Sequence, residues 1–525
     1  MSVKRSTVAL LGFALLATSA CGADADAGGG GGAGGKCTEA NAGGELTVGE
    51  YLAPQGLDPV GQPGNAVTGG SEVTALYDTL VAWDPEASTY VPRVAQSFEP
   101  NADHSVWTVS LRPDVAFGNG DPLTAEAVIA SIERHRSEDN AQVSRGEAAT
   151  IKAMRAVDDL TVEFTLVEAY PDFPHVLATD VGMITNPAVV EDLGAEDFAL
   201  NPTGAGVGPY ELDRYAPGEE IVLRAKKDYW GGTVCIDQLT FIPISGAQST
   251  FDALDQGEID VAFLREPQVI SQARDAGYQD LPTLINQGEA VIMNSAAGPT
   301  QDVTVRKAVV AAIDPDAINQ RVWDGTAEAT SALVAEGTIG LEPTDEPGYD
   351  LDAAKTLVDE AKANGWDGTI RLVADNSPTR VQEAIAVQAQ LEAAGMSVTL
   401  DNSSALPDLI TKVVVDRDYD LAIWGPQFYS EGTWAILNRV LDSSSESYYG
   451  YSDPAVDSVL DELKAAATMD EKSAALAELQ DLLIENPYAA NLCAIEESWA
   501  YSDRVHGLVG DRGSIVRFDQ AYVSD

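Results

Sequence analysis

Hydrophobic and polar positions alternate over residues 106–111. Trp107, Val109 and Leu111 fall on one face and Val106, Thr108 and Ser110 on the other. That is the period of a half-buried strand. Gly118-Asn119-Gly120-Asp121-Pro122 reads as a tight turn, and Thr124 stands where the N-cap of a following helix belongs. The same patterning predicts strands over residues 46–49, 160–166, 239–244 and 290–293, and a helix over 250–256. In the second half it predicts an amphipathic helix over 352–364 closed by Gly365 and a strand over 370–374. A helix over 381–394 closed by Gly395 and a strand over 398–400 follow. A buried strand over 419–424, a helix over 470–485 and a strand over 488–501 complete the pattern. Strands alternating with helices mark an α/β chain.

The N-terminus departs from this pattern. Lys4-Arg5 precede an apolar run from Val8 to Ala17, too short to span a membrane and right for a secretory signal. Thr18-Ser19-Ala20-Cys21 resembles a bacterial lipobox, which makes Cys21 the expected lipidation site. Residues 22–35 are nearly all Gly, Ala and Asp and are expected to form a tether. The chain has 525 residues, 45% of them hydrophobic, enough for several domains with a sizeable core. Its formal charge of −52 argues against binding nucleic acid phosphates or anionic lipid.

The sequence carries little catalytic signal. It has no H-E-x-x-H and no G-x-S-x-G motif. His104, His135, His175 and His506 are scattered, with no zinc-ligand spacing. Gly206 and Gly208 precede a strand rather than a helix, which argues against phosphate binding. Cys37, Cys235 and Cys493 allow one disulfide in any of three pairings. The strongest binding candidate is Trp424 to Glu431, WGPQFYSE, at the carboxyl end of an apolar strand, where open α/β sheets place ligands.

One ordered set of residues carries more. Tyr77, Leu80-Val81, Pro92, Ala95, Phe98-Glu99, Asp103, Leu111-Arg112, Val115, Phe117, Gly120, Pro122-Leu123-Thr124-Ala125 and Val128 stand in sequence. The set resembles the signature block of the extracellular solute-binding proteins, family 5, which serve ABC importers of peptides, nickel and related solutes. Ala127 stands where that family usually has Asp. Similar agreement recurs at Leu57-Asp58-Pro59, at Gly206 to Trp230, at Gly257-Glu258-Ile259-Asp260, at Asp302 to Asp314 and at Tyr451 to Leu460. The resemblance covers residues 46–510.

The resemblance implies an α/β fold of the periplasmic-binding-protein-like type II class, two lobes with a hinge plus an inserted β-rich domain. It implies a signal over 1–20, a tether over 21–45, and a first lobe from 46–79, 186–290 and 491–525. The inserted subdomain would be 80–185 and the second lobe 291–490. It implies a monomer without cofactor or metal, anchored by lipid on the extracytoplasmic face. There it would take a peptide or other small molecule to ABC permease subunits. In peptide-binding members the stretch matching WGPQFYSE has an Asp-Pro that this chain lacks, and an Asp there can hold the peptide's amino terminus. Glu431 is the expected substitute for that carboxylate, or the solute has no free amine. Trp424, Gly425, Phe428 and Tyr429 would form a ligand-facing wall, or core packing in the case of Trp424 and Phe428. Backbone near Tyr51, Gly70 and Asn294 would complete the site. A sensory or adhesion lipoprotein and an extracellular hydrolase are the alternatives.

Overall fold

The computed structural model describes residues 37–61, 64–137, 143–444, 447 and 449–524; the expected signal, Cys21 and the glycine-rich stretch lie outside them. The alternation at 106–111 becomes the strand Val106–Leu111, with Trp107, Val109 and Leu111 buried. Thr124 caps the helix Ala125–His135, its side chain accepting the Ala127 N–H at 3.2 Å. Val106–Leu111 is a central strand of a four-stranded antiparallel sheet with Ala95–Pro100, Thr161–Leu166 and Ile151–Asp158. This sheet packs on Ala125–His135 and on the short helix Phe173–Ala178 around Trp107, Phe164 and Phe173.

An eleven-stranded sheet runs through the rest of the molecule. At one end the parallel strands Ser397–Ser404, Thr369–Asp375 and Leu421–Ile423 lie side by side. At the other, Glu45–Glu50 pairs in parallel with Gln238–Pro243 and Val261–Leu264. Helices cover both faces of each end, giving four apolar layers. The end containing Glu45–Glu50 is the first lobe and the other is the second.

Two long antiparallel strands, Gln279–Met293 and Ala489–Tyr501, join the lobes. The pattern predicted only residues 290–293 of the first. Residues 279–289 have no apolar period, and 279–285 are extended because Ala489–Tyr501 pairs with them residue by residue. Between the lobes the ladder breaks. Ile285 opposes Ile495 and Glu289 opposes Cys493, so Asn286, Gln287 and Gly288 bulge out. Gln287 adopts φ 47°, and a Cβ on Gly288 would come within 2.5 Å of the Ile495 nitrogen. The three bulged residues are bonded into the second lobe. Gln287 donates to Asn491 at 2.9 Å and accepts from the Tyr488 hydroxyl at 2.6 Å, and the Asn286 side chain accepts the Ala335 N–H at 2.8 Å.

Of the three possible cysteine pairings, the structure has Cys37–Cys235, which fastens the first described residue to the first lobe. Cys493 is buried on a crossing strand and is not disulfide-bonded. Among the described residues, no helix is long and apolar enough to cross a membrane.

Candidate solute-binding cleft

The site lies where strands of both lobes end. Glu45–Glu50 and Val261–Leu264 run parallel, with Val48 opposite Val261, so the chain leaves both at one edge through Tyr51 and Arg265. From the second lobe, Leu421–Ile423 delivers Trp424 to Glu431 to the same gap. The crossing-strand bulge fixes that loop. Trp424 donates its N–H to Ala290, and Phe428 and Asn286 exchange backbone hydrogen bonds of 2.9 and 3.2 Å. A Cβ on Gly425 would sit 2.3 Å from the carbonyl oxygens of Gln287 and Gly288, so only glycine permits this approach.

Two groups of this loop reach the first lobe. The Tyr429 hydroxyl donates to Oε2 of Glu497 at 3.3 Å. Oε1 of Glu497 lies 2.7 Å from Nε of Arg265, whose guanidinium sits 5.6 Å above the Tyr51 ring. Glu431 accepts the Gly513 N–H at 2.8 Å with one oxygen and the Ser430 hydroxyl at 3.1 Å with the other. Burial raises the Glu431 carboxyl above the ordinary carboxylate range, and the Gly513 N–H pulls it partly back. Burial likewise raises Glu497, against Arg265, Ser514 and Tyr429, which favour its charged form. Beside Glu431, Gly432 packs on the His175 ring, which bonds the Tyr90 hydroxyl at 3.0 Å.

A second line of contact joins the four-stranded subdomain to the second lobe. Lys472 pairs with Asp172 at 2.9 Å, with side chains only 8% and 10% exposed. Trp434 packs against Tyr170, ring centres 5.3 Å apart, with the Lys464 ammonium 4.7 Å above it. Lys464 also pairs with Glu168 at the rim. The lobes are therefore in contact across the cleft. Two cavities, of about 20 and 10 Å³, lie elsewhere, each with room for about one water. Among the described residues, no group of three or more His, Cys, Asp and Glu is placed to hold a metal.

Residues 89–448 match the sequence profile of the bacterial extracellular solute-binding proteins, family 5, in its middle region. The chain belongs to this family. The family 5 assignment agrees with relatives along nearly the whole length. The probable D,D-dipeptide-binding periplasmic protein DdpA of Escherichia coli is 26% identical over 88% of this chain and 91% of its own. The periplasmic oligopeptide-binding protein OppA of Salmonella typhimurium is 27% identical over 74% of this chain and 76% of its own. Among solved structures, the substrate-binding protein CtaP of Listeria monocytogenes superposes with a TM-score of 0.76 at 21% identity, covering 92% of this chain and 100% of its own. The periplasmic binding protein DppA of Helicobacter pylori, in complex with a peptide, also gives 0.76, at 20% identity over 92% and 99%. These neighbours share the two-lobed type II architecture.

Not every expected site residue of this family 5 protein reaches the cleft. Tyr51 and Tyr429 do, both half-buried beside Arg265 and Glu497. Glu431 arrives there, but its two oxygens are occupied by Gly513 and Ser430, so in this arrangement it joins the lobes rather than awaiting an amine. Phe428 is fully buried in the second lobe's core, and Trp424 packs partly against that core. Asn294 is buried with its side chain engaged: it donates to Arg417 and Tyr419 at 3.0 Å each and accepts from Ala296 at 3.1 Å. Gly70 is buried under Ile515 and the Asn65 carbonyl. Sequence reasoning missed Arg265, Glu497, Gly513 and Ser514. Arg265 was the findable one, because it directly follows an apolar strand after Gly257-Glu258-Ile259-Asp260. The other three come from chain segments distant in sequence.

Proposed function

We propose that this protein is the extracytoplasmic, lipid-anchored substrate-binding protein of an ABC importer. It captures a peptide or a similar small solute between its lobes and delivers it to the membrane permease. The observation that carries this reading is the cleft itself. It lies at the carboxyl ends of strands from two lobes joined by two crossing strands, in a chain of family 5. Names of relatives such as OppA favour a peptide over other solutes. Because the lobes touch across the cleft, a solute enters only when they part about the crossing strands, as in hinge closure. Binding rather than catalysis is the expected activity. Tyr51, Trp424, Gly425 and Tyr429 are the proposed wall, with Glu431 closing it.

A thermal-shift screen of di- to octapeptides, sugars, opines and metal chelates tests the reading, since any ligand of the folded state raises its apparent stability. At least one class is expected to raise the melting temperature; turnover of a peptide or glycoside instead would favour a hydrolase. Anchoring is tested separately. Cys21→Ala is expected to leave the membrane fraction, and identical fractionation of wild type and variant would disprove lipidation there.

A further inference from the structure

Arg265 has more donors than this structure uses. Nε lies 2.7 Å from Oε1 of Glu497 in an ion pair, and no hydrogen bond from Nη1 or Nη2 to any described residue is present. The side chain is 20% exposed, whereas Glu497 is completely buried. An Arg guanidinium carries five N–H donors in a planar fork that matches the two oxygens of a carboxylate. Here the fork is already oriented. Glu497 holds its inner edge and the Tyr51 ring lies beneath it at 5.6 Å. Glu497 is fixed in turn by the Tyr429 hydroxyl, which comes from the opposite lobe.

We infer that Arg265 is a specificity residue of this cleft: its terminal nitrogens hold a carboxylate of the solute, side by side, when the lobes close. The inference rests on the solute-binding reading and narrows it to acids. Charge favours a carboxylate over a phosphate. Glu497 already neutralises much of the Arg265 charge, and the chain as a whole carries −52, so a dianion is repelled more than a monoanion. The Tyr51 ring lies against the guanidinium, which suits a carboxylate attached to an apolar body.

The test uses dialanine, trialanine and alanyl-phenylalanine, each as the free acid and as its C-terminal amide, with inorganic phosphate as a further arm. Affinity is measured by calorimetry on the full mature protein. At least one free acid is expected to bind about 10- to 100-fold more tightly than its amide, the loss typical of a charge-assisted hydrogen bond. Arg265→Gln is expected to bring the acid down to the affinity of the amide and leave the amide unchanged, with Arg265→Lys between. Arg265→Gln leaves Glu497 buried without its partner. If that variant melts early, Arg265→Gln combined with Glu497→Gln replaces it, and the acid-to-amide ratio on the wild type still decides. Equal affinities for acid and amide, an equal loss of both in Arg265→Gln, or tighter binding of phosphate than of every acid overturns the assignment. Binding confined to another solute class also overturns it but leaves the solute-binding reading standing. No binding of any solute removes both.

Discussion

Replacing Lys472 by Met probes what holds the lobes together. Lys472 belongs to the helix Met469–Glu485 of the second lobe, and Asp172 to the four-stranded subdomain. Their contact at 2.9 Å is shielded from water on both sides. In Lys472→Met the Asp172 carboxylate stays buried without a countercharge for as long as the lobes are closed. When they part it regains water, so the penalty falls on the closed form alone. Removing one partner of a buried pair costs about 3–5 kcal/mol, which lowers the closed-to-open ratio by roughly two to four powers of ten. The apparent affinity for any solute that needs the closed form falls by the same closed fraction. The neighbouring pair Lys464–Glu168 provides the contrast. Glu168 is 68% exposed, and a surface pair contributes about 0–1 kcal/mol, so Glu168→Gln is expected to change little. Small-angle scattering measures the outcome. In any condition where the wild type matches the closed dimensions of this structure, Lys472→Met is expected to show a larger radius of gyration. Lys472→Met combined with Asp172→Leu, which removes both charges, is expected to return to the compact value. A Lys472→Met protein as compact as wild type would refute the reasoning, as would a double variant as open as the single one.

Other expectations concern stability. Burial and the neighbouring Glu72 raise the Glu50 carboxyl well above 4.5, so the fold keeps a proton there that the unfolded chain releases. Glu50→Gln is therefore expected to raise the melting temperature at pH 8 and to change it little at pH 4. Glu383, buried beside Glu289 and Arg380, is pushed up to about 8. Its contribution is complete below about pH 4.5 and is lost as pH rises to about 8, so Glu383→Gln is expected to flatten the stability profile across that window. The Cys37–Cys235 bridge spans 198 positions, and the chain-entropy relation assigns such a loop about 5 kcal/mol. Mild reduction is expected to lower the melting temperature by several degrees, and an unchanged melt would show that the bridge constrains little.

What local sequence determined here is the set of elements and their order. The alternation at Trp107, Val109 and Leu111, the cap at Thr124 and the glycines at 365 and 395 act within a few residues of themselves, so their effect is legible without the fold. The ordered positions from Tyr77 to Val128 carried the family in the same way. Tertiary structure decided the rest. Residues 279–285 are extended only because a strand two hundred positions later pairs with them. Cys37 meets Cys235 through the packing of the first lobe, not through spacing. The loop Trp424 to Glu431 was legible as a site, but the division of labour within it was not. Phe428 turns into the core because Asn286 pairs with its backbone, and Glu431 turns to Gly513, a residue 82 positions away. Arg265, Glu497 and Tyr429 come from three segments that are ordinary in isolation. Strand pairing within the first lobe sets Arg265 beside Glu497, and the contact between the lobes adds Tyr429, because a hydrogen bond depends on distance in space and not on position along the chain.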